Sequence, residues 1–355
     1  MFQPPRCPHR DCPQHAAPGA HFYTRHGSYI AKIRPRPIPR FRCRTCQRSF
    51  SRQTFRHDYR DHKPHLNVRV IQELTSGVGY RQTARIVGLT RRNLINKARK
   101  IQRTAQLLDQ NLLQSAGDLD RAHPSGRTLD IQFDEFETYE TRRNTRPLTI
   151  AVVIERESRL ILGSSAAPIR PRGKMTERRT AAIAHEEARF GRRRNRSAAV
   201  CRYTLRRAAK VRPSARLVIL GTDEKTSYPG YAVEAFKGRR LVHHQTPSVD
   251  PRGHGTPLFA INHTEAMLRD LTGRLRRESW LVSKLRKYLN LHLGLYAAWR
   301  NWVRPRFNRD RCSPGQLAGF SARRLEPSEL VGWRQDWAGR SPCPFGAGKA
   351  IVCAA

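Results

Sequence analysis

The sequence predicts an α/β protein: five strands flanked by helices, preceded by a small metal-stapled unit and an all-helical unit. Three observations predict it. From residue 128 onward, β-prone and amphipathic runs follow in the order strand, strand, strand, helix, strand, helix, strand, helix. Residues 68–101 carry apolar positions at helical spacing, interrupted by glycines. Of eight cysteines, four fall in the first 46 residues as two pairs.

Charge restricts the function class. The 355 residues include 68 Lys and Arg against 28 Asp and Glu, a net charge of +40. Such a chain repels itself unless a polyanion neutralises it, and the nucleic-acid backbone is the usual one. Arg far outnumbers Lys, and its planar fork binds phosphate bidentately. Hydrophobic residues make up 38%, no apolar run reaches the length of a membrane span, and the start does not resemble a signal peptide. A cytoplasmic, nucleoid-associated protein with no membrane partner is expected.

The first unit, residues 1–60, reads as a Zn ribbon. Cys7-Pro-His-Arg-Asp-Cys12 and Cys43-Arg-Thr-Cys46 offer two thiolates each, which suits a tetrahedral Zn²⁺ site. The residues between have room for a hairpin: Phe22, Tyr23, Tyr29 and Ile30 are β-prone, and a Pro-rich extended run spans Ile33–Arg40. Phe41 and Phe50 can supply a tiny core, and a segment this small needs a metal to hold its shape. The wider spacing of the first pair leaves His9, His15, His57, His62 and His65 as substitute ligands.

The second unit, residues 61–106, reads as a helix-turn-helix. Val70, Ile71 and Leu74 stripe a first helix ending at Gly77 and Gly79; a short helix follows from Arg81 to Val87. Gly88-Leu89 forms the turn, and Thr90 caps a third helix, Arg91–Ile101, whose Leu94, Ile95 and Ala98 face inward. Arg91, Arg92 and Asn93 then lie at the exposed start of that helix, where base edges are read, while Arg81 and Gln82 can hold phosphates. Residues 107–127, with Gly117, Pro124 and Gly126, are expected to be a linker.

In the third unit, residues 128–305, strands are expected over Thr128–Tyr139, Leu148–Glu155 and Leu160–Ile169, the last two joined by a tight turn at Glu157-Ser158. A basic stretch (170–195), a helix Ala198–Val211, a strand Ala215–Thr222, a helix Tyr231–Phe236 and a strand Arg240–Gln245 follow. A long helix is expected from Asn262, its cap, with Glu265 in the first turn. Asp223 stands at the end of an apolar strand, where packing does not explain it. Asp134 and Asp130 share one face of the first strand by alternation. Residues 306–355 form a tail.

This arrangement resembles the ribonuclease-H-like core of insertion-sequence transposases and retroviral integrases, which carry an Asp-Asp-Glu triad. The segments that carry the resemblance are Phe133-Asp-Glu-Phe136, Thr222-Asp-Glu224, Asn262-His-Thr-Glu265, the basic run Arg274–Arg277 with Ser283-Lys284, and Cys312–Phe320. It implies a ribonuclease-H-like mixed five-stranded sheet and a DNA transposase that hydrolyses and transfers strands. Asp134, Asp223 and Glu265 would be the catalytic, Mg²⁺- or Mn²⁺-binding residues. Partners would be double-stranded DNA, both element ends and target, and further copies of the chain. Asp130 remains an alternative to Asp134, and Asn262 or Asp270 to Glu265. A co-opted relative acting only as a DNA-binding protein or regulator is the alternative function. His243, His244 and His263 read as structural or phosphate-contacting; Trp280, Trp299, Trp302 and Tyr288 read as DNA-stacking or as packing.

Overall fold

The computed structural model describes residues 2–31, 34–55, 59, 61–250, 253–276 and 279–332. Ile33, His57, Arg277 and the tail beyond residue 332 lie outside them.

The N-terminal unit contains α1 (Pro13–Ala16) and an antiparallel sheet in the order β1 (Tyr23–Ala31), β2 (Arg34–Cys43), β3 (Ser49–Ser51). The Pro-rich run is the hairpin's second strand. Pro37 and Pro39, two apart, place their missing N–H groups on one edge, where the short β3 pairs only with Arg40, Phe41 and Arg42. Phe22, Phe41 and Phe50 form a core of their own with Cys7, Cys12 and Cys43.

Three helices follow: α2 (Asn67–Leu74), α3 (Tyr80–Ile86) and α4 (Arg91–Ala122). Val70, Ile71, Leu74, Leu94 and Ala98 are fully buried and Ile95 half-buried. Thr90 caps α4, its Oγ1 accepting from the Asn93 N–H at 3.3 Å. The helix does not stop at Ile101. It runs for 32 residues, so residues 107–122 of the expected linker are helical. The reason is tertiary: Ala105, Leu108, Leu112 and Leu113 continue the apolar stripe into the core shared with the third unit. Asp109, buried on the same helix, accepts from Asn301 Nδ2 and Trp302 Nε1, both at 2.9 Å, and Asn301 also bonds both backbone groups of Ile161.

Gly117, expected as a loop residue, is a point of close approach. A Cβ there would lie 2.2 Å from the Lys210 carbonyl oxygen. Alanine favours a helix by about 1 kcal/mol over glycine, but overpacking against backbone costs about 1–3 kcal/mol. Gly117→Ala is therefore expected to lower the thermal midpoint by a few degrees; a midpoint at or above wild type would show that α4 does not press on this backbone.

The third unit is a mixed five-stranded sheet, order β6-β5-β4-β7-β8. The strands β4 (Leu129–Tyr139), β5 (Pro147–Glu155) and β6 (Ile161–Pro168) are an antiparallel meander; β7 (Leu217–Asp223) and β8 (Arg240–Thr246) run parallel to β4. Period-two alternation divides the core. Leu129, Ile131 and Phe133 pack with α4, α6 (Ser197–Val211) and α7 (Tyr228–Ala235). Phe136, Leu148, Ile150 and Val152 pack with α8 (Phe259–Leu271) and α9 (Arg286–Trp302). Both faces being covered, β5 reads as one apolar run, all buried from Pro147 to Ile154.

Three expectations differ here. The basic stretch contains α5 (Glu177–Phe190), a helix with no buried residue, which leaves no apolar stripe to read. The long helix expected from Asn262 starts at Phe259 and ends at Leu271, and its basic continuation belongs to a separate segment before α9. The break is where Gly273 meets Gly77: a Cβ on Gly273 would lie 2.7 Å from the Gly77 carbonyl oxygen, and the Gly77 N–H donates to Leu271 O at 2.9 Å. Third, Asn262 sits inside α8, where it cannot cap, and Glu265 is in the second turn. A short α10 (Pro314–Leu317), capped by Ser313, closes the described chain's helices. No described helix is long and apolar enough to cross a membrane.

Candidate catalytic cleft, cysteine cluster and DNA-facing helices

The two cysteine pairs meet. Cys7 Sγ lies 3.6 Å from Cys46 Sγ and Cys12 Sγ 3.8 Å from Cys43 Sγ, and all four sulfurs lie within 4.8 Å of one another. Four sulfurs about 2.3 Å from one Zn²⁺ at tetrahedral angles stand about 3.8 Å apart, so the cluster fits that ion. The loops aim the thiols: the Gln47 N–H donates to Cys43 O with Gln47 in the left-handed region, and the Cys12 N–H donates to His9 O. Burial works to raise the Cys46 thiol, but hydrogen bonds from the Arg48 backbone and the neighbouring thiols outweigh it and bring it to about 7. Of the described histidines proposed as substitutes (His9, His15, His62 and His65), none joins the group.

The helical unit presents Arg81, Arg91, Arg92 and Asn93 to solvent. Gln82 is already engaged: its Oε1 accepts from the Gly79 N–H at 2.8 Å, capping α3. Lys97 is buried, with its Nζ held by Asp61 Oδ1 (2.6 Å) and Asn67 Oδ1 (2.8 Å).

The carboxylates stand as follows. Asp134 is on β4, Asp223 ends β7, and Glu265 is on α8. The parallel register of β4 and β7 last pairs Gln132 with Gly221; two residues further, the strands carry Asp134 and Asp223. Both charges bear on Tyr228: burial pushes its hydroxyl far up, and the carboxylates of Glu135, Asp134 and Asp223 add to the effect. Glu265 is brought to the same sheet face by Gln132, whose Nε2 donates to Pro257 O (2.6 Å) and whose Oε1 accepts from the Ile261 N–H (2.9 Å). From that clamp, two residues of strand advance about 6.8 Å to Asp134, and four residues of helix advance about 6 Å to Glu265. One signal could have found Gln132: it is a polar residue between Ile131 and Phe133, on the same alternation as Asp134.

Asp134 and Glu265, both buried, line a cleft of about 1090 Å³ with Asn262 and five arginines, Arg143, Arg172, Arg179, Arg269 and Arg276. Asp223 is not in its lining. Among the described residues the four cysteines are the one group of three or more ligand side chains converging within 4.8 Å; the three carboxylates do not converge to that degree. Asn262 Nδ2 is buried without a hydrogen-bond partner among the described residues. Asp130, the alternative first acid, pairs with Arg156 at 3.4 Å toward the other end of β4. Asp270 pairs with Arg276 at 3.8 Å and is largely exposed. Of the aromatics, Trp302 is buried and Trp280 fully exposed. His243 Nε2 bonds the Thr222 hydroxyl at 2.8 Å.

Glu135 points to the opposite face, where it is buried and bonded by Thr149 (2.9 Å), Ser197 (2.8 Å), Tyr228 (3.2 Å) and the Lys225 ammonium. Lys225 in turn donates its backbone N–H to Asp223 Oδ1 at 3.1 Å, so the ion pair ties the Asp223 turn to β4. Burial raises Glu135, but Lys225 outweighs it and holds the carboxyl below its ordinary 4.5. A depressed folded value contributes stability above the ordinary value, and that contribution is lost as pH falls through the folded one. Lys225→Met is expected to cost about 2–4 kcal/mol at neutral pH by leaving a buried carboxylate uncompensated. Below pH 4 the gap to wild type should narrow, and Glu135→Gln in the same chain should recover most of it. Urea unfolding across pH 3–7 measures this; a pH-independent gap would remove Lys225 as the partner.

No family model and no curated protein matches the chain. Similar solved structures include a pre-cleavage Mos1 transpososome (11% identity, TM-score 0.21, covering 67% of this chain and 74% of that one). They also include the Mos1 mariner paired end complex with Mn (10%, 0.24, 67% and 74%) and the Mos1 strand transfer complex (10%, 0.21, 67% and 75%). Likeness at this level fixes neither fold nor function, which rest on the chain's own geometry.

Proposed function

We propose that the chain is a metal-dependent DNA transposase that binds element ends, nicks them and joins the freed 3′-hydroxyl to target DNA. The observation that supports it is the placing of Asp134, Asp223 and Glu265 toward one face of the sheet, by strand register and by the Gln132 clamp, beside an arginine-lined cleft. Carboxylate oxygens are the hard donors that Mg²⁺ or Mn²⁺ takes, and these three side chains would hold it. Such ions, when bound, activate the attacking oxygen and neutralise the leaving one.

The chain's own groups do the rest. Arg143, Arg172 and Arg179 would hold the phosphodiester by charge, and the Asn262 amide would donate to an oxygen in the cleft. The cysteine cluster would hold a structural Zn²⁺, and Arg91, Arg92 and Asn93 would read base edges. Bringing two ends together requires at least a dimer. A second reading, a relative that binds DNA without cutting it, is favoured by one observation: the three acids do not converge within 4.8 Å.

The test is a strand-transfer assay on duplexes from the DNA flanking the gene, with Mg²⁺ or Mn²⁺. Nicks at the element boundary, followed by joined products, are expected. Tight binding without any nick in either metal would leave the second reading in place.

A further inference from the structure

Outside the cleft, positive charge gathers with little to balance it. In the β5–β6 turn, the Arg159 guanidinium carbon lies 5.4 Å from the Phe259 ring centre and 5.8 Å from that of Phe307. The same two rings flank His263, at 5.7 and 5.6 Å. His263 follows Asn262 on α8, about 100° further round the helix, so it turns away from the cleft wall. Arg300 donates to the carbonyls of Pro305 (2.8 Å) and Arg306 (2.7 Å), while Arg306 is paired with Asp310 at 2.7 Å.

Two buried nitrogens beside these rings are unspent. Among the described residues, Arg159 Nη1 and His263 Nδ1 are buried without a hydrogen-bond partner. Burying a polar group without a bond is unfavourable, so a pair of them against the same two rings points to a ligand. The backbone supplies a further sign. Arg159 has φ of 63°, in the left-handed region that hairpin turns usually give to Gly or Asn.

We infer that the Arg159–His263 cluster between the β5–β6 turn, the start of α8 and the end of α9 is a phosphate-binding site, with Arg159 as one donor and His263, with its proton on Nδ1, as the other. The ligand is a tetrahedral oxyanion, which either inorganic phosphate or a nucleic-acid phosphodiester supplies. Arg300 and Arg304 add charge without needing to touch it. Burial and the surrounding Arg306, Arg300 and Arg156 bring Arg159 down to about 10; burial together with Arg159, Arg300 and Arg304 lowers His263. An anion seated between them would oppose the repulsion from the neighbouring arginines in both. The site is separate from the acidic cleft, so its failure would leave the proposed strand chemistry untouched.

The full chain is titrated with inorganic phosphate against chloride at matched ionic strength, and separately with a short duplex. The His263 Cε1–H resonance, assigned with His263→Gln, is followed together with the affinity. Arg159→Gly relieves the turn while deleting the guanidinium; Arg159→Gln is the second variant. Phosphate is expected to shift the His263 signal and raise its pKa, and both variants should bind phosphate about tenfold more weakly. In chloride the glycine variant should unfold at or above the wild-type temperature. A shift with duplex alone assigns the site to backbone phosphate; a shift with both assigns it to either source. Undiminished phosphate affinity in both variants, or a His263 signal that neither probe moves, overturns the inference.

Discussion

Asp223→Asn is expected to abolish Mg²⁺-dependent nicking while leaving end binding and thermal stability close to wild type. The fold should tolerate it because the Asp223 Oδ1 atom accepts one hydrogen bond, from the Lys225 N–H, and an asparagine oxygen accepts the same bond. What disappears is a full negative charge beside Asp134. Loss of one group that stabilises developing charge costs about 10²–10³-fold in rate, about 3–4 kcal/mol, and loss of a metal-holding carboxylate should cost at least that. Asp130→Asn is the matched control. Its carboxylate is occupied by Arg156 toward the far end of β4, so nicking should persist. Gel assays of nicking and binding with the same duplex read both. Undiminished nicking by Asp223→Asn would remove it from the site, and loss of nicking only in Asp130→Asn would move the first acid there.

The other large effect is at the cysteine cluster. Cys43→Ser should release Zn²⁺ and unfold the N-terminal unit, with the five-stranded core still folded. That unit's own core is a handful of aromatic rings around the thiols, and it forms a cluster distinct from the two that pack the sheet. Structural Zn²⁺ contributes about 10–16 kcal/mol in small domains, far more than those rings can supply alone. Metal content by mass spectrometry should fall from one Zn²⁺ per chain to none. Proteolysis should cut within residues 1–55 while a fragment beginning near Asn67 survives. Affinity for end DNA should drop at least tenfold. Wild-type protein that carries no Zn²⁺ and is equally resistant to protease would dispose of the ribbon.

Much of this was legible from local pattern. The cysteine spacing announced the cluster, and the strand runs announced the sheet, because side-chain alternation and apolar content are written into consecutive residues. Thr90 marked its cap by hydroxyl chemistry alone. Elements decided by distant partners were harder. α4 outruns Ile101 because α9 and α6 continue its burial, and Gly117 survives inside it because the backbone of α6 leaves no room for a side chain. The helix expected as one from Asn262 is two, because Gly273 must approach Gly77 from another unit. Gln82, expected at a phosphate, also caps α3 through its Oε1, a use that its residue type alone does not announce.

By itself the sequence determined the +40 charge, the order of the five strands of the third unit along the chain, the two thiol pairs and the identity of the acidic candidates. Those are properties of residue type and short spacing. Only the tertiary structure decided that Asp134 and Asp223 lie two residues beyond the last β4–β7 pair, that Gln132 holds the start of α8 to β4, and that Arg159 and His263 share the Phe259 and Phe307 rings. Each joins residues from 89 to 129 positions apart, and no local period encodes a distance that closure of the sheet and packing of the helices alone create.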